Sequence, residues 1–130
     1  MLEETKNWLD MLDYDIDTAK QMFKTERYVY VIFMCHLAIE KALKAIICED
    51  TNKFPPKTHD LILLINLGKV EFPADLLNFI GMINNAAVVT RYPEDLSKLV
   101  SSYSKEVAQE YLNKALEVIR CIKQDYRLKK

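Results

Sequence analysis

The sequence predicts an all-α protein, an up-and-down four-helix bundle with one additional short helix. Two observations support this fold class: apolar residues recur at helical spacing over long segments, and no convincing strand pattern is present. Breaks are few, because the chain has only two glycines and four prolines. At 130 residues, half of them hydrophobic, the chain is long enough for one core and too short for two. We therefore expect residues 1–130 to form a single domain.

The first two predicted helices form a hairpin. The first runs from about Glu3 to Lys24, and the second runs from about Arg27 to Glu49. The link Thr25-Glu26 is so short that the two helices must be antiparallel neighbours. One face of the first helix is apolar and consists of Trp8, Leu12, Ile16, Ala19 and Phe23.

The polar, proline-containing segment 50–57 predicts a loop before a short third helix. We expect Thr58 to be the N-cap of this helix, with Asp60 in its first turn. Gly68 is expected to end it as a left-handed residue.

The fourth helix is expected to have Pro73 at its first position and to continue from Ala74 to about Val89. The segment Arg91-Tyr92-Pro93 marks the next break, and Ser104 is the predicted N-cap of the last helix. The buried stripe of that last helix is predicted to contain Ala108, Leu112, Ala115, Ile119, Ile122 and Tyr126.

The second helix is apolar on two sides, which predicts that both are covered. One stripe holds Ile32, Cys35, His36, Ile39, Leu43 and Ile46. Lys41 and Lys44 lie on the other side, one turn apart, below Tyr30, Met34 and Leu37. We interpret the first stripe as bundle core and the other side as a subunit interface with lysines at its rim.

Charge and cysteine content exclude several classes of protein. A formal net charge of −1 gives the molecule no field that attracts nucleic acid or an acidic membrane as a whole. Acids dominate residues 1–17 and bases dominate residues 120–130. This distribution is favourable for the dipoles of the first and last helices. The alternative interpretation is that residues 120–130 form a basic tail that binds RNA or a partner. The three cysteines are widely spaced, which indicates neither a disulfide framework nor a zinc site.

The sequence also predicts a cytoplasmic protein with no membrane role. It begins with acids rather than with the basic and apolar regions of a signal peptide. Its longest nearly apolar run, Val29 to Ile39, is too short to span a bilayer.

Four segments in this order resemble the HEPN domain family (higher eukaryotes and prokaryotes nucleotide-binding). They are Ile39-Glu40-Lys41-Ala42-Leu43-Lys44-Ala45, the proline-containing loop, Thr58-His59-Asp60-Leu61, and Thr90-Arg91-Tyr92-Pro93 before an alanine-rich last helix. The resemblance covers about residues 1–126. It implies a homodimer of helical bundles, frequently paired with a minimal nucleotidyltransferase in a toxin–antitoxin module.

Many members of this family are metal-independent ribonucleases whose motif is an Arg and a His separated by four to six residues. After Arg91, the corresponding positions are Leu96, Ser97 and Lys98, so the usual general acid or base is missing. The chain resembles instead the Arg-Tyr-Pro branch, which is described as nucleotide-binding.

Four residues are predicted to bind nucleotide at the cleft of the dimer: Lys41, Lys44, Arg91 and Tyr92. Arg91 has a guanidinium that suits a phosphate, with capping of the preceding helix as its alternative role. Tyr92 suits base stacking, with packing over the helix end as its alternative. Lys44 has an alternative role, because it can form an i,i+4 ion pair with Glu40. Neither role of Lys44 explains why Lys41 is a lysine.

His59 and Arg91 are the weaker candidates for catalysis. His59 stands beside Asp60, where it is either an acid or base or a half-exposed neighbour of the helix cap. His36 is expected to be a core histidine, and Glu40 is expected to be structural. The spacing of the two histidines matches no metal site, and no cofactor is expected.

These observations lead to a working hypothesis of a dimer that binds a nucleotide or RNA and works with a nucleotidyltransferase. One alternative is a metal-independent ribonuclease in which His59, or the charge of Arg91, replaces the missing histidine. The other alternative is a dimeric interaction module without a ligand.

Overall fold

The computed structural model describes residues 1–91 and 95–129, without the side chains of residues 89–91, and within these ranges it contains six α-helices and no strand. The helices are α1 (Glu3–Lys24), α2 (Tyr28–Thr51), α3 (Leu61–Gly68), α4 (Ala74–Arg91), α5 (Leu96–Ser102) and α6 (Lys105–Lys123). A single turn of 3-10 helix follows at Tyr126–Leu128. The predicted helical bundle is confirmed, and α5 is an additional helix that the sequence analysis did not delimit.

Helix α2 is the centre of the bundle, in contact with α1, α3, α4, α5 and α6. The stripe predicted to be core is buried throughout, and it consists of Ile32, Cys35, His36, Ile39, Leu43 and Ile46. Burial raises the pKa of the Cys35 thiol to about 12, which makes this cysteine an unreactive core residue. Because its neighbours cover α2 on most sides, polar residues on this helix need partners inside the molecule.

Helix α1 packs along α2 as predicted, with Leu12 and Ala19 fully buried. The reversal between the two helices uses Glu26 in a left-handed conformation, with a φ of 63°. Trp8, Ile16 and Phe23 are partly buried against the core, so the predicted apolar face of α1 is confirmed.

The ends of α3 differ from the prediction. Asp60 is the N-cap, because its side chain accepts hydrogen bonds from the backbone N–H groups of Ile62 and Leu63, while the Thr58 hydroxyl accepts one from the backbone of Asp60. At the other end, the left-handed residue is Lys69, with a φ of 51°, and not Gly68. Gly68 remains helical and buried, where an added Cβ would lie 3.3 Å from a side-chain carbon of Ile47.

The last two long helices mostly follow the prediction. Helix α4 begins at Ala74, so Pro73 precedes the helix instead of occupying its first position, and the Pro73 carbonyl accepts a hydrogen bond from Leu77. Ser104 caps α6 by accepting a hydrogen bond from Val107 at 3.2 Å. The predicted stripe of α6 is buried with one exception: Tyr126 is 76% exposed, because the chain leaves the helix at Lys123.

Basic residues near the end of the chain bond acids elsewhere in the bundle. Lys123 lies 3.1 Å from Asp13 on α1. Arg127 bonds Asp125 and donates to the carbonyl oxygen of Gly68 at 2.7 Å. These contacts fasten the end of α6 to α1 and the C-terminal turn to the end of α3.

None of the helices in the described ranges has the combination of length and apolar character needed to cross a membrane.

Candidate functional site

The second half of α2 carries a buried carboxylate with a partner on each oxygen. Glu40 is 2% exposed. One of its oxygens lies 3.1 Å from Nζ of Lys44, one turn further along α2. The other lies 2.7 Å from Nδ1 of His59, which belongs to the loop before α3. Glu40 therefore links α2 to a residue 19 positions later in the sequence.

These partners keep Glu40 ionised. Burial alone would raise the pKa of its carboxyl group, but hydrogen bonding from His59 and the charge and hydrogen bond of Lys44 outweigh burial, so the pKa is lowered. Lys44 also lies over the ring of Trp8, with Nζ 5.6 Å from the ring centroid. The buried charge of Glu40 is thus compensated by Lys44 at one oxygen and by His59 at the other.

The imidazole of His59 is held at Nδ1 by Glu40, while most of the side chain is exposed to solvent. Its side chain is 60% exposed although its partner Glu40 is almost fully buried. Because Nδ1 faces the carboxylate, the N–H at Nδ1 donates to Glu40 and Nε2 is the acceptor of the neutral ring.

The loop that carries His59 is held in place by Asn84 of α4. The Asn84 side chain accepts a hydrogen bond from the backbone of Leu61 at 3.0 Å and donates one to Asp60 at 3.2 Å. Asp60 in turn caps α3. These bonds join the start of α3 to α4 and fix the residue next to His59.

A cleft of about 280 Å³ lies between these elements. Its lining combines two imidazoles, one carboxylate, two amides and two small apolar side chains, from His36, His59, Asp60, Asn84, Asn85, Ala87 and Val88. His36 is 1% exposed, as expected for a core histidine, whereas Asn85 is exposed on α4. The cleft thus offers hydrogen-bond donors and acceptors at the surface of an otherwise apolar bundle.

Lys41 and Lys44, the two predicted nucleotide-binding residues whose side chains the structure describes, are not among the residues that line this cleft. Lys41 bonds Asp15 of α1 at 3.2 Å, a contact that explains a lysine for which the sequence offered no partner. Lys44 is 6% exposed instead of lying at a rim, because it forms the predicted pair with Glu40. The nucleotide-binding role of both lysines stays a prediction.

The other two predicted binding residues are on or beyond the last turn of α4. Arg91 is the last residue of that helix, one turn beyond Ala87 and Val88 of the cleft, and its side chain lies outside the described residues. Tyr92 lies outside them altogether.

The contact between Glu40 and His59 is the part of the site that the sequence did not predict. Glu40 was expected to be structural, and His59 was expected to interact with its neighbour Asp60 rather than with a carboxylate of α2. The available signal was the position of Glu40 next to the apolar stripe of a helix covered on both sides, where a carboxylate requires more than one partner. The i,i+4 spacing identifies Lys44 as one partner of Glu40. His59 was the remaining candidate for the second partner.

A separate apolar cavity of about 250 Å³ lies where α5 crosses the start of α2. Three exposed apolar side chains line it: Tyr30 (56% exposed), Leu96 (68%) and Val100 (54%). Phe33 and Leu37 continue the same face of α2 and are half-buried. These side chains form one contiguous exposed apolar surface, whereas the exposed apolar residues of a monomer are commonly scattered singly.

Among the side chains that the structure describes, no group of three or more His, Cys, Asp or Glu is placed to hold a metal ion.

Comparison with known proteins gives a family match and two related folds. The model of the HEPN domain family matches residues 5–125. The crystal structure of TT1696 from Thermus thermophilus superposes with a TM-score of 0.80 at 20% identity, over 95% of this chain and 98% of that one. The crystal structure of ST0689, an archaeal HEPN homologue, gives 0.74 at 19% identity, over 92% and 94%. No curated protein matches the sequence.

Proposed function

Because the chain belongs to the HEPN domain family, we propose that it is a homodimer that binds a nucleotide or RNA and works with a minimal nucleotidyltransferase. The observation that carries the binding proposal is the polar cleft between α2, α4 and the start of α3. Its imidazoles and amides are groups that hydrogen-bond to base edges and ribose. At about 280 Å³ the cleft lies just below the usual size range of small-molecule sites, with which it shares a few convergent polar groups.

Arg91 and Tyr92 complete the proposed site. Arg91 ends the helix that provides Asn84 and Asn85, and a guanidinium suits a phosphate. Tyr92 would stack on a base. Lys41 and Lys44 each bond a carboxylate, so either ammonium would have to leave its partner to bind the nucleotide.

Binding of ATP and of a short single-stranded RNA, followed by fluorescence anisotropy, tests this proposal. We expect Arg91→Ala and Asn85→Ala to weaken binding at least tenfold, which is about 1.4 kcal/mol. Arg120→Ala is the matched control, because it removes the same charge from the exposed surface of α6. Equal affinities for the wild type and for Arg91→Ala and Asn85→Ala would contradict the assignment of the cleft.

The proposed dimer uses the exposed apolar surface formed by Tyr30, Leu96 and Val100. A second copy is the occupant that accounts for an exposed apolar surface on the central helix of the bundle. Light scattering should give about twice the chain mass of 15.2 kDa. Tyr30→Asp should give the monomer mass, and Tyr14→Asp, at a tyrosine that is 76% exposed on α1, should not. A monomeric wild type at micromolar concentration would refute the dimer.

The nucleotidyltransferase partner and the toxin–antitoxin role are supported by the family alone. Expression of the chain by itself should slow growth, and co-expression of a minimal nucleotidyltransferase encoded beside it should restore growth. Co-elution of the two purified proteins would support the pairing. Growth unaffected by the chain, together with separate elution, would refute it.

A further inference from the structure

A further cavity, of about 460 Å³, lies between the first half of α1, the end of α2 and the loop that follows α2. Its lining is mostly apolar and includes Trp8 and Met11 of α1, Cys48 of α2 and Phe54 of the loop. A volume in this range is usual for sites that bind small molecules. The residues that line it are different from those that line the cleft between α2, α4 and the start of α3.

Two aromatic rings provide much of the apolar surface of this cavity. The ring centroids of Trp8 and Phe54 are 5.8 Å apart, and the two rings meet edge to face at 61°. Trp8 is half-buried against the core, whereas Phe54 is 72% exposed although the next residue, Pro55, is buried. A ligand that covers Phe54 gains hydrophobic free energy, because it removes an exposed phenyl ring from water.

Negative charge lies beside these rings. Glu3 and Glu4 line the cavity from the first turn of α1, and none of the described residues that line it is basic. Glu3 lies 3.3 Å from Lys6, but its side chain is 87% exposed, so this ion pair contributes little and Glu3 can exchange partners. The dipole of α1 favours acids at this position. It does not account for the exposed aromatic ring of Phe54 in the same cavity.

The ring of Trp8 already interacts with one cation of the protein. Nζ of Lys44, which is 6% exposed, lies 5.6 Å from the ring centroid. The charge of this ammonium is compensated by Glu40 at 3.1 Å. Aromatic rings attract ammonium and guanidinium groups, and carboxylates form strong hydrogen bonds with both. A ligand with a phosphate is disfavoured here, because the two acids of α1 repel it.

We propose that this cavity binds an organic cation that joins a guanidinium or ammonium group to a short alkyl stem. The stem packs against Trp8, Phe54 and Met11, and the charged group binds Glu3 and Glu4. This chemistry is shared by a free alkylguanidine or alkylamine and by the side chain of an arginine or lysine in a partner protein. The site is independent of the nucleotide proposed for the cleft.

The fluorescence of Trp8 reports on this cavity directly, because Trp8 is the only tryptophan of the chain. The experiment is titration of the full chain with butylguanidinium, with the emission of Trp8 as the signal. We expect a saturable change with a dissociation constant of about 1 mM, as for a small ligand with few contacts. Butylurea has nearly the same shape without the charge, and it should bind about fivefold more weakly or less.

Variants of the lining separate the aromatic contribution from the charge. Phe54→Ala, at an exposed position, should fold and bind butylguanidinium about fivefold more weakly, whereas Tyr14→Ala, at an exposed tyrosine of α1, should bind as the wild type does. The double variant Glu3→Gln/Glu4→Gln should also lose about fivefold or more. Its control is Glu110→Gln, at an exposed position of α6. Far-ultraviolet circular dichroism verifies that each variant is folded.

A second titration distinguishes the two sources of the cation. The capped peptide acetyl-glycyl-arginyl-glycinamide presents the same guanidinium group as part of a polypeptide. Saturable binding of this peptide assigns the cavity to a side chain of a partner protein. Binding of butylguanidinium alone assigns it to a free small molecule.

Three results would overturn the proposal. The first is the absence of a saturable response to either guanidinium probe up to about 10 mM, tenfold above the expected dissociation constant. The second is equal affinity for butylguanidinium and butylurea, because it would exclude a site for a cation. The third is wild-type affinity in Phe54→Ala or in Glu3→Gln/Glu4→Gln. None of these results would affect the binding of a nucleotide at the cleft, which has other lining residues.

Discussion

Replacing Glu40 by alanine should destabilise the fold more than any surface substitution of an acid. In this variant the buried ammonium of Lys44, whose side chain is 7% exposed, loses its carboxylate and keeps only the ring of Trp8. Removing one partner of a buried ion pair costs about 3–5 kcal/mol, because the remaining charge is left uncompensated. A domain of this size has a free energy of unfolding of about 5–15 kcal/mol, so the loss is a large share.

Urea unfolding, followed by far-ultraviolet circular dichroism, measures this effect. With a slope of about 2 kcal/mol per molar urea, the unfolding midpoint of Glu40→Ala should fall by about 2 M. Glu110→Ala, at an exposed position of α6, is the control and should change the free energy of unfolding by less than about 0.5 kcal/mol. The double variant Glu40→Leu/Lys44→Met should recover most of the loss, because apolar residues replace both charges.

A midpoint for Glu40→Ala within about 0.5 M of the wild type would refute this reasoning. It would mean that water reaches Lys44 in solution and that Glu40 is not held as a buried anion.

Three further predictions concern stability. The pKa of Glu40 is lower in the folded state than in the unfolded chain, so the ionised carboxylate stabilises the fold fully at neutral pH. This stabilisation is lost as the pH falls below about 4. The acid unfolding curve of Glu40→Gln should lack this contribution. Asp60→Ala removes the cap of α3 and the bond from Asn84, and urea unfolding should show a loss of about 1–2 kcal/mol; an unchanged midpoint would exclude this capping role. Lys69→Gly relieves a positive φ and should raise the free energy of unfolding by up to about 1 kcal/mol, whereas a lower thermal midpoint would contradict it.

The long helices were predictable from the sequence because their signals are local. The bounds of α1 agree with the prediction to the residue, and Ser104 caps α6 as expected. Periodic apolar residues and caps act within a few positions, so they are visible in one sequence.

The start of α3 was less predictable because two capping residues stand close together. Thr58 and Asp60 both suit an N-cap, and the choice depends on Asn84, which donates to Asp60 from α4. Gly68 was expected to supply the left-handed turn, but that residue is Lys69, and Gly68 stays helical where an added Cβ would lie only 3.3 Å from Ile47. Tertiary contacts decided both cases.

The candidate site was predictable in part. His59 was a candidate from the sequence because it stands beside Asp60, but its pairing with Glu40 spans 19 positions and depends on how the loop before α3 folds back onto α2. No local pattern specifies such a contact. In the same way, the bond between Lys41 and Asp15 depends on the register of α1 against α2.

Nuclear magnetic resonance titration of the isotopically labelled chain with a short single-stranded RNA tests the central claim most directly, because it locates the bound ligand. The account predicts shifts of the side-chain amides of Asn84 and Asn85 and of the backbone at His59, with no change near the ion pair of Asp13 on α1 and Lys123 on α6. Unchanged signals at the cleft at millimolar RNA, or shifts confined to other surfaces, would contradict it.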